Sequence, residues 1–159
     1  MTTLTPTPRG EQPLDQALRG IHDAWVREAR CFLEPAVAPG TDFWTRWAAV
    51  RYLADDFRER YNLERGLLVE LRPFLEPVTS DRLAQEGDRV FELRLELDRM
   101  GRRRGTAAEM AGGTRRLLDQ LVIWLAEIEL AADGITRESL APEGAQLLAH
   151  LEAARSGVR

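Results

Sequence analysis

A chain of 159 residues, 44% hydrophobic and 30% charged, is long enough to bury one core without disulfide or metal staples, and its composition is that of a globular protein. Its net charge of −4 gives no general attraction to nucleic acid, and no apolar run approaches the ~20 residues that cross a bilayer. All 22 basic residues are Arg, so no lysine can form a Schiff base, and the single cysteine, Cys31, excludes an internal disulfide framework.

Residues 1–13 are Thr- and Pro-rich without an apolar h-region, and read as a disordered leader rather than a secretory signal. Residues 14–159 read as one helical domain, expected in the cytoplasm. A first helix covers about 14–33, with Leu14, Leu18, Ile21, Trp25 and Phe32 on one face, and ends at Pro35, Pro39 and Gly40. A second, capped by Thr41, runs over about 41–75. Its seam steps through Phe43, Trp47, Val50, Ala54, Phe57, Tyr61, Glu64, Leu68, Leu71 and Leu75, with a kink expected near Gly66. A third starts at Thr79 or Ser80, with Val78 and Leu83 as a hydrophobic staple, and ends near Arg102. A fourth opens with a capping box, Thr106 to Glu109, and stops at Gly134. Its interior is apolar nearly all round, which marks it as the most buried. A short fifth helix over 142–155 is expected across the bundle end. Short connections imply an all-α, up-down-up-down four-helix bundle with that fifth C-terminal helix.

The candidate chemistry falls into three groups. Arg99, Arg102, Arg103 and Arg104 form an arginine-rich loop at the tip between the third and fourth helices, followed by Arg115 and Arg116. Guanidinium forks suit carboxylate and phosphate partners. Trp44 and Tyr52 lie off the second helix's seam and are read as exposed aromatics facing a partner. Trp25, Trp47, Phe57, Tyr61 and Trp124, with His22, Glu64 and Glu86 as polar groups, are the set that would line an interior pocket.

Glu64 and Glu86 are expected at similar depth on adjacent helices, where two carboxylates can share a proton. His22 is expected more than a turn above Glu64, Glu86 and Glu129, so that the four make no single site. Asp56 and Arg60 read as a solvated ion pair. No phosphate loop and no nucleophile motif appears.

Three stretches, ALRGIHDAWVREA, YLADDFRERYNLERGLLVELRPFL and LLDQLVIWLAEIEL, resemble the hemerythrin-like (HHE) helical bundles over about residues 14–132. The resemblance implies a bundle whose helices hold two irons through His and carboxylates, with His22 at the first-helix histidine. The other ligands do not carry over. His-x3-Glu of the second helix falls on Asp56 and Arg60, or on Leu63 and Leu67. The Glu-His pair of the third is Glu86-Gly87, and the fourth offers Trp124 and Glu129. No metal and no cofactor is therefore expected. RYLADDFRERYNLE is also similar to the Rsd/AlgQ regulators, helical proteins that bind a sigma factor.

The reading that follows is a non-catalytic, metal-free, hemerythrin-like bundle that binds another protein, or a second copy of itself, through the arginine tip, Trp44 and Tyr52. Nucleic acid and membrane are not expected partners. The alternatives are a small-molecule site, binding or catalytic, in an aromatic-lined interior, and a residual metal site at His22.

Overall fold

A computed structural model describes residues 12–103 and 106–155, the last of these by its backbone alone. Most of the leader, Arg104 and the final residues of the domain lie outside the described residues. The leader's end is not loose: Pro13 forms an antiparallel bridge with Thr136, and Gln12 O accepts from Arg137 N at 3.0 Å.

Helix α1 spans Leu14–Ala36 and carries Pro35 in its final turn, one turn further than the proline signal suggested. A proline there removes a single backbone bond, and the helix stops one residue later. Helix α2 spans Phe43–Tyr52 and is capped by Asp42, which accepts from Thr45 N at 2.8 Å. Thr41 is not the cap. Its hydroxyl donates to the carbonyls of Pro35 and Ala38, closing the loop in which Gly40 takes a φ of 77°.

A π turn, Leu53–Phe57, follows without a break, and α3, Arg58–Leu71, continues into a 3-10 turn at Arg72–Phe74. The irregularity in this long helix is thus at 53–57 and not at Gly66, where Leu147 of the C-terminal helix packs closely instead.

Helix α4, Pro77–Arg102, starts at its proline, whose fixed φ suits the first helical position. Val78 is consequently inside the helix and exposed, and forms no staple. Helix α5, Ala107–Ala131, opens with the Thr106 cap accepting from Glu109 N at 3.2 Å. A Cβ at its Gly113 would come within 3.3 Å of Leu97 and Met100 across the α4 contact, so the small residue serves close packing. Helix α6 spans Pro142–Arg155. Among the described residues the fold is all-α, and no helix is long and apolar enough to cross a membrane.

Neighbouring helices meet in opposite chain directions. Trp124 of α5 donates to Leu83 O of α4, while Gly113 meets Leu97. Tyr61 of α3 donates to Gly87 O of α4 at 3.0 Å, and Arg94 of α4 to Leu53 O at 3.1 Å. Helix α6 does not cross an end: it lies along α3, with Gly144 against Glu70, Leu147 against Gly66 and Ala154 O accepting from Arg60 at 2.9 Å. The core is continuous from Leu14 to Leu33 on α1 through Phe57, Leu67 and Leu71 to Leu121, Trp124 and Ile128 on α5.

Candidate functional site

The π turn decides which side chains of the long helix face out. A π turn takes up more residues than an α turn, so everything before it is rotated relative to an unbroken helix. Ala49, Val50 and Tyr52 are buried before the turn, Leu53 and Phe57 at its two ends, and Tyr61, Glu64, Leu68 and Leu71 after it. An unbroken seam would have put Phe43 and Trp47 inward; instead Phe43 is 54% and Trp47 39% exposed, and Trp44 is 73% exposed. Tyr52, expected at the surface, is 2% exposed and stacks on Phe32 at 4.7 Å between ring centroids.

The outward aromatics form a cluster. Phe43 lies edge-on to Trp44 at 5.3 Å and parallel to Trp47 at 6.3 Å. Phe43 and Trp47 border a groove of about 440 Å³ that is lined also by Thr41, Arg46 and Val50 from the α2 side and by Gly101 and Arg102 from the end of α4. Gly101 makes this junction: a Cβ there would sit 2.5 Å from Val50 Cγ2, so only glycine lets the two helices meet so closely.

The arginine tip and the aromatics, read separately in the sequence, are brought together here through Arg102. Arg102 pairs with Asp98 at 3.1 Å. Arg46 was missed by the sequence reading. It is half-buried, forms no ion pair among the described residues, and its Nε is buried without a hydrogen-bond partner there. Arg99 and Arg103 are exposed and unpaired among the described residues, and Arg104 lies outside them.

The interior set separates from this groove. Trp25, Phe57 and Trp124 are completely buried, with Trp25 on Phe57 at 5.2 Å and Tyr61 on Trp124 at 5.6 Å. These rings fill the core against one another, and Trp47 is not among them. The other described cavities of about 290 to 330 Å³ are lined by none of the interior set.

His22 is level with two carboxylates, contrary to the expected depth. Its Nε2 lies 2.6 Å from Glu64 Oε1, and its Nδ1 2.9 Å from Glu129 Oε2. Leu14 N donates to Ile135 O at 2.9 Å, which ties the start of α1 to the segment just after the end of α5 and sets the two helices side by side in opposite directions. Burial disfavours the imidazolium, but the Glu64 charge and hydrogen bonds to Glu129 and Glu64 outweigh it, and the pKa is raised to about 9. At neutral pH His22 is therefore an imidazolium donating from both nitrogens, and Arg19 lies 3.5 Å from the outer oxygen of Glu129.

The two carboxylates approach opposite ring nitrogens, so they cannot converge with His22 on one ion. Among the described residues no group of three or more His, Cys, Asp or Glu is placed to hold a metal.

Glu86 is level with Glu64 but faces away from it. Gly87, beside it, occupies the inner contact, where a Cβ would meet Arg65 and Trp124. Glu86 lies instead against Glu127 of α5. Partial burial, a hydrogen bond with Glu127 and its charge raise the Glu86 pKa to about 7, with Arg82 opposing. Each carboxyl has an oxygen without a hydrogen-bond partner, which a proton shared between them would satisfy.

Arg60 is no solvated partner of Asp56: it is buried and pairs with Glu28 of α1 at 2.8 Å. Arg94, also buried and also missed, serves the π turn through its bond to Leu53 O.

No protein-family model matches the chain, and no curated protein or solved structure matches it.

Proposed function

We propose that the chain is a non-catalytic binding module, an up-down-up-down four-helix bundle with an added C-terminal helix, that engages another protein through the groove between the start of α2 and the end of α4. The observation that carries this reading is the juxtaposition of exposed Phe43 and Trp47 with Arg46 and Arg102 on one groove, with exposed Trp44 edge-on to Phe43 beside it. Contiguous exposed aromatics edged by arginine are the composition of interface hot spots, and a monomer gains nothing by displaying them to water. The opposite chain directions of neighbouring helices support the bundle arrangement. A metal-free form of the hemerythrin-like architecture is supported by His22, whose two nitrogens are both taken by carboxylates from opposite sides.

The groove, at about 440 Å³, also falls in the size range of small-molecule sites, and this favours a second reading, a small amphipathic ligand held at the same place. An interior ligand has less support, because the buried aromatics fill the core.

A photo-cross-linking residue at position 44 tests the proposal in cells of the source organism. A discrete protein adduct is expected, lost when Arg102 and Arg103 are both changed to Ser in a variant that melts like the parent. Adducts of equal yield from parent and variant would sink it.

A further inference from the structure

The groove's lining contains two arginines, Arg46 and Arg102, and no acidic residue. Arg99 and Arg103 extend the positive charge along the exposed end of α4. The floor is apolar: Trp47, Val50 and the bare backbone of Gly101. We infer that the occupant is an acidic amphipathic helix of another protein, its large apolar side chains seated between α2 and α4 and its Asp or Glu side chains on Arg46 and Arg102; this rests on the binding-module reading above.

Three observations choose this occupant. The site is a trough between two helix ends, and such troughs accept the apolar face of a helix with anchors at i and i+3 or i+4. Arg46 supplies a guanidinium that no carboxylate of the described residues neutralises, beside aromatic faces that exclude water and strengthen a charge-assisted bond. The positive charge is local. The whole chain carries −4, so beyond about a Debye length a long polyanion such as nucleic acid is repelled rather than drawn in. A second copy docking face to face would bring the two sets of arginines together, which electrostatics opposes.

The test is selection from a displayed library of amphipathic helices with a fixed Leu and Phe seam and randomised flanks, panned on the full chain. Enriched helices are expected to carry Asp and Glu at the flanks and to bind Arg46→Glu and Arg102→Glu about tenfold more weakly or worse. Both variants are checked by circular dichroism, and the exposed Arg102 serves where the half-buried Arg46 is not tolerated. Enrichment of neutral or basic flanks, or binding indifferent to both charge reversals, overturns the inference. So does co-sedimentation with anionic phospholipid vesicles that the same reversals abolish. If position 44 cross-links a protein while no acidic helix is selected, the acidic partner fails and the binding module stands; if it cross-links none, the module itself fails.

Discussion

Two halves of one helix run in opposite senses. From Arg58 to Leu71 charged side chains turn inward and are answered there: Arg60 by Glu28, and Glu64 by His22. From Phe43 to Trp47 aromatic side chains turn outward, and Arg46 among them has no ion-pair partner among the described residues. The same backbone carries both, and the π turn at Leu53–Phe57 separates them. The contrast distinguishes two uses of charge. In the lower half it is neutralised within the molecule, where it fixes which helices pair and at what depth. In the upper half it is offered to solvent on an apolar surface, an arrangement a partner can complete.

The comparison can be broken most severely at His22. His22→Leu leaves Glu64, 0% exposed, without its partner, and a buried pair broken on one side costs about 3–5 kcal/mol. Urea unfolding should show that loss, and His22→Leu with Glu64→Leu should recover most of it. A double variant as unstable as the single would mean that the pair is not the source of the effect.

The next largest effect is of pH. The folded pKa of His22, about 9, stands above its ordinary 6.5, so its contribution is fully present below pH 6.5 and is lost as pH rises through about 9. That amounts to roughly 3 kcal/mol. The measurement belongs in a Glu86→Gln background, since Glu86 titrates near 7 and would add its own slope. A flat stability profile from pH 6.5 to 9.5 would show that His22 is not held as an imidazolium.

The smallest effect is expected at the tip. Trp44→Ser should change unfolding stability by no more than about 0.5 kcal/mol, as for a surface site, while abolishing adduct formation at the groove when the cross-linker is placed at position 47. A loss of several kcal/mol would mean that Trp44 belongs to the core after all.

Much of this was legible in the sequence because it is local. Thr106 and Glu109 announce the start of α5, and Gly134 takes the left-handed φ of 81° that a helix end favours. The apolar stretch near Trp124 is not buried all round as expected: Leu121, Trp124, Leu125 and Ile128 are inside, while Val122, Ile123 and Leu130 are exposed. What was not legible is set over long distance. The depth of His22 depends on the Leu14 to Ile135 backbone bond, which no helical period encodes. The faces of Phe43, Trp47 and Tyr52 depend on a turn whose Leu53 carbonyl accepts from Arg94, 41 residues away. The adjacent apolar pair Tyr52-Leu53, next to a small Ala54 in the assumed seam, was the one local sign of a changed register. Of the candidate site, the arginines and aromatics were visible singly; their meeting was not, because Gly101 joins them through a contact between helices.

The π turn also has a consequence for how such a chain can diversify. Each residue added to or removed from a helix turns what precedes it by about 100°. Loss of one codon between Leu53 and Phe57 would present a different set of side chains at the tip without altering any of them. Sequence length at this point, as much as residue identity, would then determine what the module can bind.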